Sequence, residues 1–206
     1  HLFSQEYLYQ IYLKANPSYS GRVTVPVLWD KKNQTIVSNE SSEIIRMFNY
    51  SFNKLTNNNL DFYPEKFQKK IDEINDFTYH NINNGVYKIG FATKQSVYEE
   101  ELDKLFTALD QIEEMLKQNS YLLGDEILEC DLRLFPTLLR FDPVYVGHFK
   151  CNKKRIIDYR TAAAIPMSKP GWFNRRALLR TLPPWHHCWS QRLMQAFLPL
   201  RTSFND

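Results

Sequence analysis

Hydrophobic and polar positions alternate with two different periods in the first quarter of the chain. A helical period predicts a helix over Phe3–Lys14. The β-branched and aromatic run Val23–Trp29 predicts a strand, and Thr35–Val37, beyond a polar turn, predicts the returning strand of a hairpin. Ser41–Phe48 predicts a helix that is capped by Asn39 or by its own first residue. This part therefore contains one hairpin between two helices.

The helical period dominates the chain after the hairpin. Apolar residues at helical spacing predict helices over Pro64–Phe77, Ser96–Lys117 and Leu128–Leu139. The segment Asn81–Lys94, which contains two glycines, is predicted to be irregular. Because two strands make only a marginal sheet, the predicted fold class is α+β, leaning towards all-α.

The composition excludes several classes of protein. The 206 residues are 43% hydrophobic and 24% charged, as in globular proteins. The sequence has neither a run of 18 apolar residues nor a secretory signal, so we expect a cytoplasmic protein with no membrane partner. Three cysteines are too few and too irregularly spaced for a disulfide scaffold. Glycine-rich phosphate motifs are also lacking, so no nucleotide cofactor is expected.

Basic charge is concentrated at the end of the sequence. Residues 160–206 hold 7 Lys+Arg, 1 acidic residue and three of the four tryptophans, whereas residues 1–159 hold 19 Lys+Arg and 22 Asp+Glu. A basic aromatic arm for nucleic acid or anionic lipid is one interpretation. The abrupt change in composition favours the other, a segment foreign to the ancestral fold, such as a shifted reading frame or a retained intron. We therefore expect no nucleic-acid partner.

A metal site is not expected from the histidines and cysteines. His186, His187 and Cys188 are consecutive, and adjacent residues on a helix point about 100° apart, as follows from 3.6 residues per turn. Acidic or thiol residues that could complete a ligand set are not close in the sequence. The sequence therefore predicts no bound metal.

Five runs of residues stand in an order that is typical of one family. They are Gly21–Asp30, Asn39–Met47, Asn83–Ala92, Asp131–Tyr145 and His148–Asn152. Together they resemble the glutathionyl-hydroquinone reductases, the xi class of the glutathione transferase superfamily. The resemblance covers about residues 1–159, and several separated runs in the same order are more specific than any single motif.

The resemblance implies a domain organisation and a partner. Residues 1–55 would form the C-terminal half of a thioredoxin-like glutathione-binding domain, and residues 63–159 a helical glutathione transferase domain. Residues 160–206 would be an atypical basic tail that is not native to the fold. The family also implies a homodimer.

The resemblance further implies a site for glutathione, as a co-substrate, on the first two runs. The Val25–Pro26 bond would be cis, which would turn the Val25 backbone outward to pair with the cysteinyl backbone of glutathione. Glu40 and Ser41 would lie at a helix N-terminus, whose N–H groups suit the γ-glutamyl carboxylate. Glu40 would take the γ-glutamyl ammonium. An ordinary hairpin followed by an ordinary helix cap is the alternative.

Tyr87 and Tyr145 fall in runs that, by resemblance, surround the glutathione sulfur and a small aromatic quinol conjugate. The resemblance implies that Tyr87 is the catalytic residue that binds or protonates the quinol. A phenol suits that task, because it donates a hydrogen bond and stays neutral near pH 7. The alternative for both is a core tyrosine, and for Tyr145 this alternative is favoured.

The family's nucleophile is a cysteine in a Cys-Pro-Trp/Tyr-Ala type motif at a helix N-terminus, where thiolate is favoured. Cys130, Cys151 and Cys188 do not stand in such a motif, and the first two are expected to be structural. The motif is expected upstream of His1, and the family's C-terminal segment is not recognisable after Tyr159. By resemblance, the function is glutathione-dependent reduction of glutathionyl-hydroquinones, with this chain inactive without its upstream cysteine. The alternatives are a non-catalytic binding or scaffold module and a decayed fragment.

Overall fold

A computed structural model of the protein describes residues 2–56 and 60–162. The strands are β1 (Leu28–Asp30) and β2 (Thr35–Ser38), and the α-helices are α1 (Leu8–Ala15), α2 (Ser41–Tyr50), α3 (Asn53–Thr56), α4 (Gln68–Thr78), α5 (Gly85–Gly90), α6 (Gln95–Gln118), α7 (Glu129–Arg140) and α8 (Val146–His148). Short 3₁₀ turns lie at Leu2–Ser4, Glu65–Phe67 and Ile156–Asp158, and π-helical turns at Tyr79–Asn83 and Phe141–Tyr145. The predicted class, a small hairpin with a mostly helical remainder, is confirmed.

The described residues form two compact units. The first contains the residues up to Ile74 together with Ile127–Cys130, and the second contains Asn75–Glu126 and the residues from Asp131 onward. The hairpin and α2 belong to the first unit. The long helix α6 belongs to the second unit and contributes wholly buried residues to its core, among them Leu105, Leu109 and Ile112.

The hairpin is shorter than its sequence predicts. β1 pairs antiparallel with β2, with Trp29 opposite Ile36. The turn between them is closed by the Asp30 carboxylate, which accepts hydrogen bonds from the backbone N–H groups of Lys32 (2.8 Å) and Asn33 (3.0 Å). The prediction of a strand over all of Val23–Trp29 is wrong for its first five residues. Pro26 has no N–H group that could donate a hydrogen bond to a neighbouring strand. The pairing with β2 ends at Leu28, which lies opposite Ser38.

The start of α1 and the cap of α2 differ from the prediction, whereas the predicted start of α2 at Ser41 is confirmed. The helix predicted over Phe3–Lys14 begins at Leu8, because the Gln10 side chain accepts the backbone N–H groups of Glu6 (3.0 Å) and Tyr7 (2.8 Å) and so fixes the start there. The cap of α2 is Glu40 and neither Asn39 nor Ser41. Its carboxylate accepts the N–H of Ser42 at 3.4 Å.

The expectation of an irregular segment over Asn81–Lys94 is wrong as far as Gly90 and correct for residues 91–94. The chain there forms the π-helical turn and then α5, which packs against α6. Ile82, Val86 and Ile89 are buried on this face. Glycine lowers intrinsic helix propensity by about 1 kcal/mol, and burial of an apolar face offsets that cost. The helices predicted over Ser96–Lys117 and Leu128–Leu139 are confirmed, with boundaries shifted by one residue.

A group of charged residues joins three helices within the first unit. The Arg46 guanidinium of α2 lies 3.1 Å from Glu129 of α7 and 2.5 Å from Asp72 of α4. The Tyr63 hydroxyl donates to Asp72 at 2.8 Å, and the Tyr63 ring centre lies 4.0 Å from the guanidinium carbon. We call these four residues the Arg46 cluster. Partial burial disfavours the charge of Arg46, but its carboxylate partners outweigh this effect and hold its pKa above the usual range.

The described part of the basic tail begins against α6. The Glu113 carboxylate accepts the backbone N–H groups of Arg160 (3.0 Å), Thr161 (3.1 Å) and Ala162 (2.8 Å), and Ala162 is buried. Residues 163–206, including the His186–Cys188 triplet, lie outside the described residues. Among the helices of residues 2–56 and 60–162, none combines the length and apolar character that crossing a bilayer demands.

Candidate functional site

The four residues proposed to hold glutathione all belong to the first unit and are all exposed. The Val25–Pro26 peptide is cis, as the resemblance implies, and 76% of the Val25 surface is accessible. This segment precedes β1 and forms no strand of its own. The Val25 backbone therefore lies at the surface, where an extended peptide can reach it.

Glu40 and Ser41 lie at the start of α2. The Ser38 hydroxyl, at the end of β2, donates to the Glu43 carboxylate at 2.7 Å and accepts the Glu40 N–H at 3.0 Å. These two bonds fix the turn from the strand into the helix. The first N–H groups of a helix, together with its dipole, favour a bound carboxylate, and the exposed Ser41 hydroxyl stands at this end.

One polar group near these residues was missed by the sequence analysis. The Tyr12 hydroxyl of α1 bonds to the backbone of Thr24 and to the side chain of Asn39. We call Tyr12, Thr24 and Asn39 the Tyr12 node. Tyr12 stands in the apolar stripe of α1, so its spacing predicts only a core residue, and no local signal indicates that its hydroxyl is used.

The two tyrosines proposed for the quinol pocket are neighbours within the second unit. The hydroxyl oxygens of Tyr87 and Tyr145 lie 3.4 Å apart, and their rings meet edge to face at 5.9 Å between centroids. The Phe149 ring lies 5.4 Å from each of them, and Phe91 packs against Phe149 at 5.5 Å. We call these four residues the aromatic cluster. Phe149 was not singled out from the sequence, although it lies in one of the family-like runs.

The two tyrosines differ in exposure. Tyr87 is 42% exposed, whereas Tyr145 is 3% exposed, which fits the core interpretation favoured for Tyr145. Burial, with a smaller contribution from the Tyr87 hydroxyl, raises the pKa of Tyr145 to about 12. Tyr145 therefore stays protonated near neutral pH and can keep a hydrogen bond with Tyr87. Tyr87 is the member of this pair that a ligand can reach.

Gly90 determines how closely Phe149 approaches α5. A Cβ atom at position 90 would stand 2.7 Å from Cδ1 and 2.9 Å from Cβ of Phe149, which is closer than van der Waals contact allows. The glycine therefore lets the Phe149 ring lie directly on the helix backbone, beside Tyr87. Sequence reasoning treated Gly90 only as a helix breaker.

The two described cysteines are poorly suited to attack a sulfur. Cys130 and Cys151 are both fully buried. Burial raises the pKa of the Cys151 thiol to about 12, and the attacking species in disulfide chemistry is the thiolate. Their expected structural role agrees with this burial. Cys188 lies outside the described residues.

We expect Cys130 and Cys151 to resist alkylation in the folded chain at pH 8. Peptide mapping after a short iodoacetamide pulse should find both nearly unmodified in buffer and fully modified in denaturant, because burial denies the reagent access to both thiols. At Cys151 the raised pKa also removes thiolate. Each cysteine's labelling in denaturant is the control for its own labelling in buffer. Rapid native labelling of Cys151 would contradict this interpretation.

A metal centre has no support in the part of the chain that the structure describes. Within residues 2–56 and 60–162, histidine, cysteine and carboxylate side chains do not gather in groups of three or more. The chemistry available there consists of backbone and helix-end groups in the first unit and phenols in the second. These groups can bind a peptide-like anion and an aromatic ring.

Three comparisons with known proteins point to one family. The sequence family described as "Glutathione S-transferase, C-terminal domain" matches residues 95–174. Glutathionyl-hydroquinone reductase YqjG of Escherichia coli is 60% identical over 158 residues, which are 77% of this chain and 48% of the relative. Glutathionyl-hydroquinone reductase PcpF of Sphingobium chlorophenolicum is 53% identical over 154 residues, which are 75% of this chain and 49% of the relative.

Solved structures agree with these relatives. The glutathione-bound structure of Escherichia coli YqjG superposes with a TM-score of 0.79 at 52% identity, covering 88% of this chain and 56% of the other. The xi glutathione transferase of Phanerochaete chrysosporium gives a TM-score of 0.77 at 50% identity, covering 82% of this chain and 59% of the other. The glutathione transferase-type fold is thereby confirmed. The chain spans about half the length of the curated relatives it matches.

Proposed function

This chain belongs to the xi class of the glutathione transferase superfamily. We propose that it is part of a glutathionyl-hydroquinone reductase, and that it binds glutathione on its first unit and a quinol on its second. The observation that carries the proposal is that the exposed backbone of Val25 and the exposed N-terminus of α2 lie next to a hydrogen bond that joins Thr24 to Asn39. A glutathione-bound structure of a relative that is 52% identical supports the choice of ligand.

Three groups of glutathione have complementary groups on the first unit. The cysteinyl backbone pairs with the backbone of Val25 as a strand would. The γ-glutamyl carboxylate receives the first N–H groups of α2 and the Ser41 hydroxyl. The γ-glutamyl ammonium meets the exposed Glu40 carboxylate, in an ion pair worth about 0.2–1 kcal/mol.

The reaction proposed for the whole protein is a thiol transfer. A thiolate forms a disulfide with the glutathione sulfur of a glutathionyl-hydroquinone, and the carbon–sulfur bond breaks. The quinol leaves with the bonding electron pair and takes up a proton, and a second glutathione reduces the mixed disulfide, so that glutathione disulfide is the oxidised product. We assign to Tyr87 the hydrogen bond or proton for the quinol, and to Tyr145 the support of Tyr87. The attacking thiol is assigned to neither Cys130 nor Cys151.

The burial of both described cysteines favours a second candidate, a non-catalytic glutathione-binding module. The protein is incubated with a glutathionyl-hydroquinone and glutathione, and chromatography of the products distinguishes the two candidate functions. Glutathione binding with no released hydroquinone supports the binding module, and release of hydroquinone supports the reductase. Absence of glutathione binding supports the decayed fragment.

Glu40→Gln is expected to weaken glutathione binding about two- to five-fold, because it removes the charge that faces the ammonium while keeping the carbonyl oxygen that caps α2. Isothermal titration calorimetry measures the dissociation constant. Glu73→Gln is the matched control, since it makes the same charge change on the exposed face of α4, and it should bind as the unmodified chain does. Equal affinities for all three proteins would refute the assignment of Glu40.

A further inference from the structure

We propose that Tyr12 is a positioning residue of the glutathione site, whose hydroxyl sets the spacing between the Val25 backbone and the N-terminus of α2. The inference rests on the proposed function, since it concerns the same two anchors for glutathione. Tyr12 touches neither anchor directly. It bonds to the residue before each one, Thr24 before Val25 and Asn39 before Glu40.

The Tyr12 hydroxyl contacts both Thr24 and Asn39. It donates to the Thr24 carbonyl oxygen at 2.9 Å and accepts the Thr24 N–H at 3.3 Å and the Asn39 side-chain N–H at 3.1 Å. Its oxygen also lies 3.5 Å from the Thr24 hydroxyl oxygen. Asn39 closes the node with a second bond, 3.1 Å long, to the Thr24 hydroxyl.

The position of Tyr12 makes the node rigid. Tyr12 is 3% exposed, its helix packs against β2, and its ring lies 4.9 Å from the Tyr19 ring. The hydroxyl is thus held from behind by packed side chains. Thr24 and Asn39 are separated in sequence by the whole hairpin, and both are exposed. The node is a direct polar link between the segment before Pro26 and the start of α2.

A ligand that spans both anchors depends on their spacing, and a ligand that uses one anchor does not. Preorganisation lowers the free-energy cost of ordering a site on binding. Glutathione uses both anchors through its γ-glutamyl and cysteinyl parts. Glutamate has an α-carboxylate and an ammonium group, so it can bind only at the start of α2. Cysteinylglycine has a peptide backbone, so it can bind only at Val25. This difference separates a positioning role from general stabilisation.

The test is glutathione, glutamate and cysteinylglycine binding by the Tyr12→Phe variant, measured by NMR titration well below its melting temperature. We expect the dissociation constant for glutathione to rise about ten-fold, which equals 1.4 kcal/mol. Those for glutamate and cysteinylglycine should change less than two-fold. Tyr19→Phe is the control, because it removes a nearby phenol hydroxyl that bonds only within its own loop, to the Arg22 carbonyl oxygen at 2.6 Å.

A second variant and a ligand-free measurement keep the outcomes distinct. Asn39→Ala breaks the link to α2 and should reproduce the selective loss of glutathione affinity, and combining it with Tyr12→Phe should add little. Amide hydrogen exchange at Thr24 should quicken in Tyr12→Phe without any ligand, since that N–H loses its acceptor. This exchange reports the node whether or not glutathione binds.

Each alternative result overturns a different statement. Equal weakening of all three ligands would make Tyr12 merely structural. Unchanged glutathione affinity in Tyr12→Phe, with faster exchange at Thr24, would overturn the positioning role alone. If the unmodified chain binds no glutathione, the proposed function fails and the ligand role of Tyr12 fails with it, even where the exchange data confirm the node.

Discussion

Replacing Arg46 with methionine is expected to lower the free energy of unfolding by about 3 kcal/mol. The substitution removes one member of a buried ion pair and leaves the Glu129 carboxylate buried without the guanidinium. Glu129 is 1% exposed and receives the guanidinium at 3.1 Å. Methionine covers the same apolar surface but offers no charge. The variant also loses the contact with Asp72 and the cation–π contact with Tyr63.

Urea denaturation followed by circular dichroism measures this effect. Lys104→Met is the matched control: its partners Glu100 and Glu101 lie along the same helix, its side chain is about half exposed, and little change is expected. Glu129→Gln in the Arg46→Met background should restore part of the lost stability, since it removes the buried charge. If Arg46→Met unfolds like the Lys104 control, the Arg46 cluster does not stabilise the first unit.

Replacing Gly90 with alanine is expected to destabilise the second unit by about 1–3 kcal/mol, the usual cost of overpacking. Alanine normally stabilises a helix by about 1 kcal/mol relative to glycine. A lower stability of the Gly90→Ala variant would therefore report the clash of the new Cβ atom with Phe149. The atoms in the way belong to the near part of the ring, which cannot turn aside. Phe149 must therefore move, and its packing on Tyr87 and Tyr145 changes with it.

Gly85→Ala tests the same exchange in the same helix without the clash. The nearest atoms to its new Cβ lie 3.9 Å away, an ordinary contact, so its stability should be unchanged or higher. Thermal melting of both variants gives the comparison, and near-ultraviolet circular dichroism follows the tyrosine environments. Equal stability of the two variants would contradict the close contact between Gly90 and Phe149.

Much of the fold could be predicted from the sequence, because long apolar stripes depend on period alone. The helices at Ser96–Lys117 and Leu128–Leu139 are examples. Local signals failed where tertiary packing decides the structure. The glycines around α5 predicted irregular chain, but burial of Val86 and Ile89 stabilises a helix there. The prediction of a strand over Val23–Val27 was wrong because a high β propensity does not provide a neighbouring strand to pair with.

The sequence named the exposed candidate residues and the buried Tyr145, but it did not name Tyr12 or Phe149 as residues of the site. Val25, Glu40 and Tyr87 stand in runs that resemble a family, so resemblance was enough to name them. Tyr12 and Phe149 bond or pack through partners distant in sequence, Asn39 and Tyr87 respectively. A sequence pattern does not distinguish a buried tyrosine whose hydroxyl forms hydrogen bonds from a buried tyrosine whose hydroxyl does not.

Binding of glutathione to the first unit through Val25 and the start of α2 can be followed in a ¹H–¹⁵N correlation spectrum of the chain during a titration with glutathione. We expect saturable shifts at the amides of Val25, Ser41 and Ser42, and little change at amides on the exposed face of α4, such as Glu73. The absence of saturable shifts at Val25 and Ser41, or saturable shifts confined to the second unit, would contradict this mode of binding.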